Sequence, residues 1–541
     1  MYKVLERRGD YLVVWRNELK GLYIHIPFCV KKCSYCDFYS LPGRTDTIES
    51  YVQAVLLEAQ KYSPVSPLAP SRERVGVRGD SFLCHSEPFS RRTKNLASKR
   101  DSNFPSFVKR AHPSTGRIEG DLFPHLNPSQ NSYFQTLYLG GGTPSLLGPK
   151  NLTTLITGLN NSMLVSSPLT GEDQGEGVQL NVKNSNRPCF PSPEPVGSGF
   201  GTLSNFARNH EILSTADEMY DRPNPIAQDE SGQTSLLCKE RLRENYFKVS
   251  SGGILAESTI ELNPESATPE FLQTAKNLGF NRLSFGVQSL NDKELQSVGR
   301  IHTAAQAIAS IKLAQNLKFP AISADLIIGL PGQTGTSLHK SLETLVGMGI
   351  HHLSVYCLSL ESGTPLGNNP PPDLPSDDMQ AQLFEETRSF LQSRGFAHYE
   401  ISNFALPGYE CLHNLNYWRG GEYLGLGPAA ASHLNGRRFK NRANLDAYLQ
   451  NPTGQIEDVE ELSPQEKAAE EAMLRLRLLE EGLNTDELTA KFGPANTADI
   501  IRRLDKMVQE GLLLQTGSAC RLIPSRIMTS NPIFARVLME M

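Results

Sequence analysis

No apolar run in this sequence reaches the length of about 20 residues that a membrane-spanning helix needs, so no membrane span is expected. The opening stretch, MYKVLERRGDYLVVW, lacks the apolar core and small-residue cleavage site of a secretory signal. Charge of one sign is not in excess either: 53 Lys and Arg face 58 Asp and Glu, a formal net charge of −5. That balance is too close to neutral for nucleic acid to be the main partner. Cysteine is sparse and odd in number, nine in 541 residues, which excludes a disulfide scaffold. What remains is a cytoplasmic protein, long enough for a large core and more than one domain.

Short β-rich runs alternate with helical patterns along most of the chain. The runs are Gly21–Ile26, Thr136–Leu139, Ser258–Leu262, Arg282–Val287, Ala321–Ile327 and His352–Tyr356. Helical patterns follow the first of these at Ile48, Tyr51, Val52, Val55 and Leu56, and others start near Pro149, Thr268, Thr303, Ser337 and Asp377. Asp46 and Glu49 have the spacing of a capping box. Six such repeats predict an α/β fold, a partial (β/α)6 barrel over residues 21–375, with chemistry gathered at the carboxyl ends of the strands. Residues 1–20 form a short N-terminal segment. Residues 376–541 read as a smaller α+β domain ending in a winged-helix-like pattern, a packing module because it lacks a basic stripe.

Residues 62–130 and 162–250 break the rhythm. They are rich in Ser and Pro, and the first holds eleven Lys and Arg against six Asp and Glu. Neither buries enough apolar surface to offset its ordering entropy, so both read as disordered insertions and not as a nucleic-acid arm. Cys84, Cys189 and Cys238 lie in them; Cys357, Cys411 and Cys520 are scattered and read as small apolar fillers.

Cys29, Cys33 and Cys36 stand apart. In HIPFCVKKCSYCDFYS they occupy eight residues directly after the first predicted strand. A structural zinc site wants four closed ligands, usually in two pairs, and only His25 is near enough in sequence to be a fourth. His25, however, alternates with Tyr23 along a strand. An iron–sulfur cluster fits better, because close thiolates let one loop wrap several irons. Three ligands on a four-iron cube leave one iron open to something else.

A CxxxCxxC run after the first strand of a partial barrel, with Tyr35 before its last cysteine, resembles the radical S-adenosylmethionine (SAM) superfamily. The resemblance implies a [4Fe–4S] cluster on Cys29, Cys33 and Cys36, SAM chelated at the open iron through its amino and carboxylate groups, and an electron donor for the cluster. Reductive cleavage of SAM would give methionine and a 5′-deoxyadenosyl radical. The stretches LGGGTPS, ELNP, RLSFGVQS with VGR, and ISADLIIGLP extend the resemblance to the coproporphyrinogen III oxidase-like branch. By that match Tyr23, Tyr35, Gly140, Gly141, Gly142, Thr143, Glu261, Gln288, Arg300 and Asp325 are the candidate SAM-binding residues. Taken by themselves the glycines permit close backbone approach, and the four polar groups sit near strand ends, as in a ligand pocket.

The branch holds two kinds of protein. The oxidases, which decarboxylate coproporphyrinogen III in porphyrin biosynthesis, carry a further cysteine two residues after the third ligand; here that position is Phe38. The haem chaperones of the HemW kind carry HNxxYW, and HNLNYW stands here at His413–Trp418. The resemblance therefore favours a protein that binds haem and transfers it to an acceptor protein, with radical-based oxidation of a tetrapyrrole as the alternative. His413 is then the candidate axial ligand, and Tyr417 and Trp418 the residues packing a porphyrin face. Without the resemblance, His413 and Asn414 read as loop hydrogen-bonders and Trp418 as a core filler.

Overall fold

The computed structural model describes residues 3–7, 10–14, 20–63, 134–164 and 255–538. Six parallel strands form the centre of one large sheet: β1 (Lys20–Ile26), β2 (Thr136–Gly141), β3 (Glu257–Leu262), β4 (Arg282–Gln288), β5 (Ala321–Ile328) and β6 (His352–Cys357). They lie side by side in chain order, and each matches a strand expected from the sequence to within two residues. Helices α1 (Ile48–Lys61), α2 (Gly148–Leu159), α3 (Pro269–Asn277), α4 (Ala304–Asn316) and α5 (Gly335–Gly347) connect them. Successive side chains point to opposite faces of the sheet. Leu22, Ile24, Leu137, Leu139, Ile260, Leu283 and Phe285 therefore pack outward under the helices, in the main apolar core. The inward set is polar: Tyr138, Thr259, Glu261, Ser284, Asp325 and Ser354 line one cavity.

Later segments extend both edges of this sheet, so it runs unbroken past residue 376. After α6 (Asp377–Ser393), β7 (Ala397–Glu400) and β8 (Asn403–Ala405) add antiparallel strands beyond β6. Helix α7 (Leu412–Trp418) leads to β9 (Glu422–Leu426), which pairs in parallel with β1, and β10 (Ala431–Leu434), β11 (Arg437–Asn441) and β12 (Ile456–Glu461) follow antiparallel. The chain ends in helices α8 (Pro464–Arg475), α9 (Thr485–Phe492), α10 (Pro494–Gln509) and α11 (Ser530–Leu538) with a three-stranded sheet, the winged-helix-like unit. The N-terminal segment contributes an antiparallel pair, Lys3–Arg7 with Asp10–Val14. Beyond their first residues, the insertions 62–130 and 162–250, with Cys84, Cys189 and Cys238, lie outside the described residues.

Two local expectations change. Asp46 and Glu49 form no capping box: a 3-10 turn, Thr45–Thr47, precedes α1, and the Thr47 hydroxyl donates to the Arg44 carbonyl at 2.7 Å. Cys411 is no inert filler, since its thiol donates to Glu257 at 3.3 Å. Cys520 is fully buried, as a filler should be.

Glu58 of α1 joins the barrel to the later strands. Its carboxyl accepts from Gly427 N at 2.9 Å, Asn441 Nδ2 at 2.6 Å and the Tyr448 hydroxyl at 2.5 Å. Burial pushes its pKa up to about 7, although those donors pull it down. The folded state thus holds this proton more tightly than the unfolded chain, so the associated stability is present below the unfolded pKa and is lost as pH rises through about 7. In urea unfolding, wild type is expected to lose about 3 kcal/mol relative to Glu58→Gln between pH 4.5 and 7.5. A constant difference across that range would contradict the assignment.

Candidate active site

The cysteine loop leaves β1 at the carboxyl end of the sheet. It is clamped on both sides: Ser34 N donates to the Val298 carbonyl at 3.1 Å, and Leu366 N donates to the Ser34 carbonyl at 2.9 Å. The Tyr35 side chain packs with Val298, Ile327, Leu330 and Leu366. On the return path the Tyr39 hydroxyl accepts from Leu445 N at 2.8 Å, and Arg44 pairs with Asp446 at 2.6 Å. Cys29, Cys33 and Cys36 are all free thiols. Burial raises the Cys36 pKa. Among the described residues no three His, Cys, Asp or Glu side chains close on one metal ion. A cube bound by one thiolate per corner does not ask them to.

A network of polar groups supports the loop from three strands. The Thr143 hydroxyl lies 3.4 Å from Cys29 Sγ and accepts from Asn263 Nδ2 at 2.9 Å. Asn263 in turn accepts from Arg300 Nη2 at 2.8 Å. Arg300 also donates to the Gly286 carbonyl at 2.5 Å, and its Nη1 lies 3.7 Å from Cys33 Sγ. Arg300 Nε is buried with no hydrogen-bond partner. Three thiols, a guanidinium and an unsatisfied buried donor at one mouth fit an anionic iron–sulfur cluster with a polar ligand beside it.

The glycine turn also has a packing role. A Cβ at Gly141, whose φ is +104°, would stand 2.6 Å from the His25 ring, and one at Gly142 would stand 2.4 Å from the Phe28 carbonyl oxygen. Protein atoms already fill the space those side chains would need, so the glycines first allow the turn to pack against β1 and the cysteine loop. His25 is no fourth metal ligand. Its Nε2 donates to the Tyr39 carbonyl at 2.8 Å, which leaves Nδ1 to accept from the Tyr23 hydroxyl at 3.0 Å.

Glu261 and Asp325 face the cavity. Glu261 accepts from the Tyr138 hydroxyl at 2.7 Å and from Gly141 N at 3.0 Å; burial raises its pKa to about 7. Asp325 accepts from the Ser284 hydroxyl at 3.2 Å, and burial raises it to about 6. Gln288 ends β4 at a bulge with φ +65°, a left-handed conformation unusual for its side chain. Tyr23, Gly140–Thr143, Glu261, Asp325, Gln288, Arg300 and Tyr35 thus come from β1 to β5 or the segments that follow them.

HNLNYW lies elsewhere. It forms α7, whose N-terminus is held by Glu257, the first residue of β3. That carboxylate accepts from Leu412 N at 3.1 Å, His413 N at 3.0 Å and Arg282 Nε at 2.9 Å. Arg282 and these backbone donors hold Glu257 below the usual carboxylate pKa despite full burial. His413 is 1% exposed; its Nδ1 lies 2.8 Å from Thr136 Oγ1 and its Nε2 2.9 Å from the Tyr417 hydroxyl. Thr136 and Glu257 begin their strands, so α7 caps the amino end of the barrel, opposite the cysteines. Trp418 packs with Tyr399, Leu415 and Leu478, with the Arg477 guanidinium 5.2 Å from its ring centroid. No imidazole nitrogen of His413 is free in this arrangement.

Asn263, Tyr138, Glu257 and Arg282 were not singled out from the sequence. Asn263 lay within the ELNP stretch, one residue beyond the last β-like position. Tyr138 and Arg282 read as ordinary strand residues, marked only by their inward register, and Glu257 lay one residue before the expected run Ser258–Leu262.

A cysteine loop after β1, a parallel six-stranded sheet and a polar interior define a radical SAM protein. The family model described as the Radical SAM superfamily matches residues 229–345. The heme chaperone HemW of Escherichia coli (strain K12) is 34% identical over 503 residues, 92% of each chain. HemW of Bacillus subtilis (strain 168) is 32% identical over 322 residues, 57% of this chain and 84% of that one. The chain belongs to the HemW family. Membership of the superfamily implies a [4Fe–4S] cluster and SAM. The solved coproporphyrinogen III oxidase (HemN) of Escherichia coli shares the fold, with a TM-score of 0.60 at 16% identity over 96% of this chain and 89% of that one. No helix among the described residues is long and apolar enough to cross a membrane.

Anaerobic reconstitution with iron and sulfide should load about four irons per chain in wild type. Cys29→Ala/Cys33→Ala/Cys36→Ala should load none, and Cys357→Ser should match wild type. Zinc in place of iron and sulfide would refute the assignment.

Proposed function

We propose that this chain is a haem chaperone, binding haem and passing it to an acceptor protein while carrying a [4Fe–4S] cluster and SAM. The observation that carries the reading is the match to a haem chaperone along 92% of both chains. Phe38, 58% exposed where the oxidases carry a further cysteine, agrees with it.

Cys29, Cys33 and Cys36 would hold the cluster. When bound, the cluster would supply the electron for the reductive chemistry of SAM. Arg300 offsets the negative charge gathered at the thiolates, and Asn263 fixes Arg300 and Thr143 in register. Gly141 N and the Glu261 carboxyl, with Asp325, Gln288 and Tyr23, present polar groups for SAM. Tyr35 anchors the loop. Haem contact is assigned to the HNLNYW segment, with Tyr417 and Trp418 beside the porphyrin. His413 reaches the iron through Nε2 once the Tyr417 hydroxyl releases it, so ligation requires a local opening of α7. The division into a barrel over residues 21–375 and a HemW-type region over 376–541 belongs to the same reading.

The test titrates reconstituted protein with haem, and separately supplies coproporphyrinogen III, SAM and a reductant. A haem Soret band without CO₂ release supports the chaperone; steady CO₂ release would establish the oxidase instead. Tyr417→Phe frees Nε2 and is expected to tighten haem binding by about fivefold, the worth of one hydrogen bond. His413→Ala should shift the Soret band and weaken binding. An unchanged spectrum in His413→Ala would remove the imidazole from the haem site.

A further inference from the structure

Strand β2 touches both motifs. Its inward residues alternate as Thr136, Tyr138 and Gly140. Thr136 holds one nitrogen of His413. The Tyr138 ring stacks on the same imidazole, 5.1 Å between centroids and 27° between planes. Its hydroxyl donates to Glu261 Oε1 at 2.7 Å, while Glu261 Oε2 accepts from Gly141 N at 3.0 Å. Gly140 leaves no slack beside them, because a Cβ there would stand 2.9 Å from the Glu261 carboxyl carbon. At the far end the chain of contacts continues from His413 Nε2 to Tyr417, whose ring meets Tyr423 edge-on at 4.6 Å. One strand, about 17 Å long at 3.3 Å per residue, thus carries an unbroken series of contacts from the glycine turn to HNLNYW.

We propose that Tyr138 is a positioning residue that couples occupancy of the SAM site at the glycine turn to the setting of His413. The inference rests on the SAM reading above and deepens it, since it concerns how the two ends of the barrel regulate each other. A polar ligand at the turn draws on Gly141 N or on the Glu261 carboxyl. Either change alters the acceptor that Tyr138 uses. Tyr138 has a single hydroxyl, and its ring cannot follow Glu261 without sliding over the imidazole. Close-packed interiors move between discrete arrangements and do not deform continuously, so a small shift at Glu261 becomes a change of setting at His413. Linkage makes the effect reciprocal: a group that takes His413 changes the affinity for SAM by the same factor. If Tyr138 served only to fill the interior, its loss would change stability and leave the two ends independent.

The experiment uses the full chain with its cluster reconstituted and its histidine rings labelled with carbon-13. Equilibrium dialysis measures SAM binding, and NMR follows the His413 ring signal, identified by its loss in His413→Asn. In wild type, SAM should shift that signal. In Tyr138→Phe, which removes only the hydroxyl, SAM should still bind within about tenfold of wild type while the His413 signal no longer responds. Glu261→Gln supplies a second break in the same series and should also blunt the response. If SAM binds wild type and the His413 signal stays still, or if it moves equally in Tyr138→Phe, the coupling is refuted and the SAM reading stands. If dialysis detects no SAM binding to wild type, the SAM reading falls and the coupling falls with it.

Discussion

Parallel strands deliver their carboxyl ends to one mouth and their amino ends to the other, and every site in this protein follows from that constraint. The cysteine loop, the glycine turn, Asn263, Gln288 and Arg300 leave β1 to β4 in the same direction. They meet although Cys29 and Arg300 are far apart in sequence. At the opposite mouth Thr136, Glu257 and Arg282 begin β2, β3 and β4 and together receive α7. The antiparallel strands beyond β6 and β9 extend the edges of the sheet, and Tyr399 of β7 reaches the amino mouth, where its hydroxyl accepts from Cys411 N at 3.2 Å.

Burying Glu257 and Arg282 together is costly unless each is fully bonded, because the desolvation of two charges can exceed their mutual attraction. Glu257 accepts from Arg282, Cys411, Leu412 and His413, and Arg282 Nη2 donates to the carbonyls of Tyr409 and Glu410 at 2.7 and 3.0 Å. Its Nη1 alone has no protein partner. A pair so bonded adds little net stability, yet it specifies where α7 must start, since losing either partner leaves a buried charge uncompensated. The pair therefore acts as a register pin between the barrel and the segment that follows β8. An apolar pair would hold the helix near the barrel without fixing which backbone amides face it.

The six strands were legible in the sequence because each is short, β-branched or aromatic, and bounded by turn residues; Gly21–Ile26 and Arg282–Val287 are typical. The cysteine loop was legible because its spacing is local. HNLNYW was visible as a motif but not in its place, because its position at the amino mouth depends on β9 pairing in parallel with β1, a contact between residues 20–24 and 422–426. Tyr138 illustrates the same limit. In TLYL it alternates with leucines like any strand residue, and only the closed interior reveals that its neighbours are Glu261 and His413. The Asp46–Glu49 spacing misled for the opposite reason: a 3-10 turn makes Thr47 the residue before α1, so Asp46 is not at the N-cap and Glu49 is the second helical residue.

The interior between the two mouths is short of positive charge. Glu261 and Asp325 are both pushed up by burial, to about 7 and about 6, and Asp325 raises Glu261 further. Arg282 is taken by Glu257, and Arg300 lies against the cysteine loop and Asn263. Both carboxyls have hydroxyl donors and no ion-pair partner among the described residues, so burial leaves them harder to ionise than exposed ones. In the proposed reading, SAM brings its sulfonium to this pocket, and that positive charge favours the ionised carboxyls. An ionised Glu261 binds the Tyr138 hydroxyl more strongly than a neutral one does. On the proposed coupling, filling the site tightens the same hydrogen bond that leads to His413.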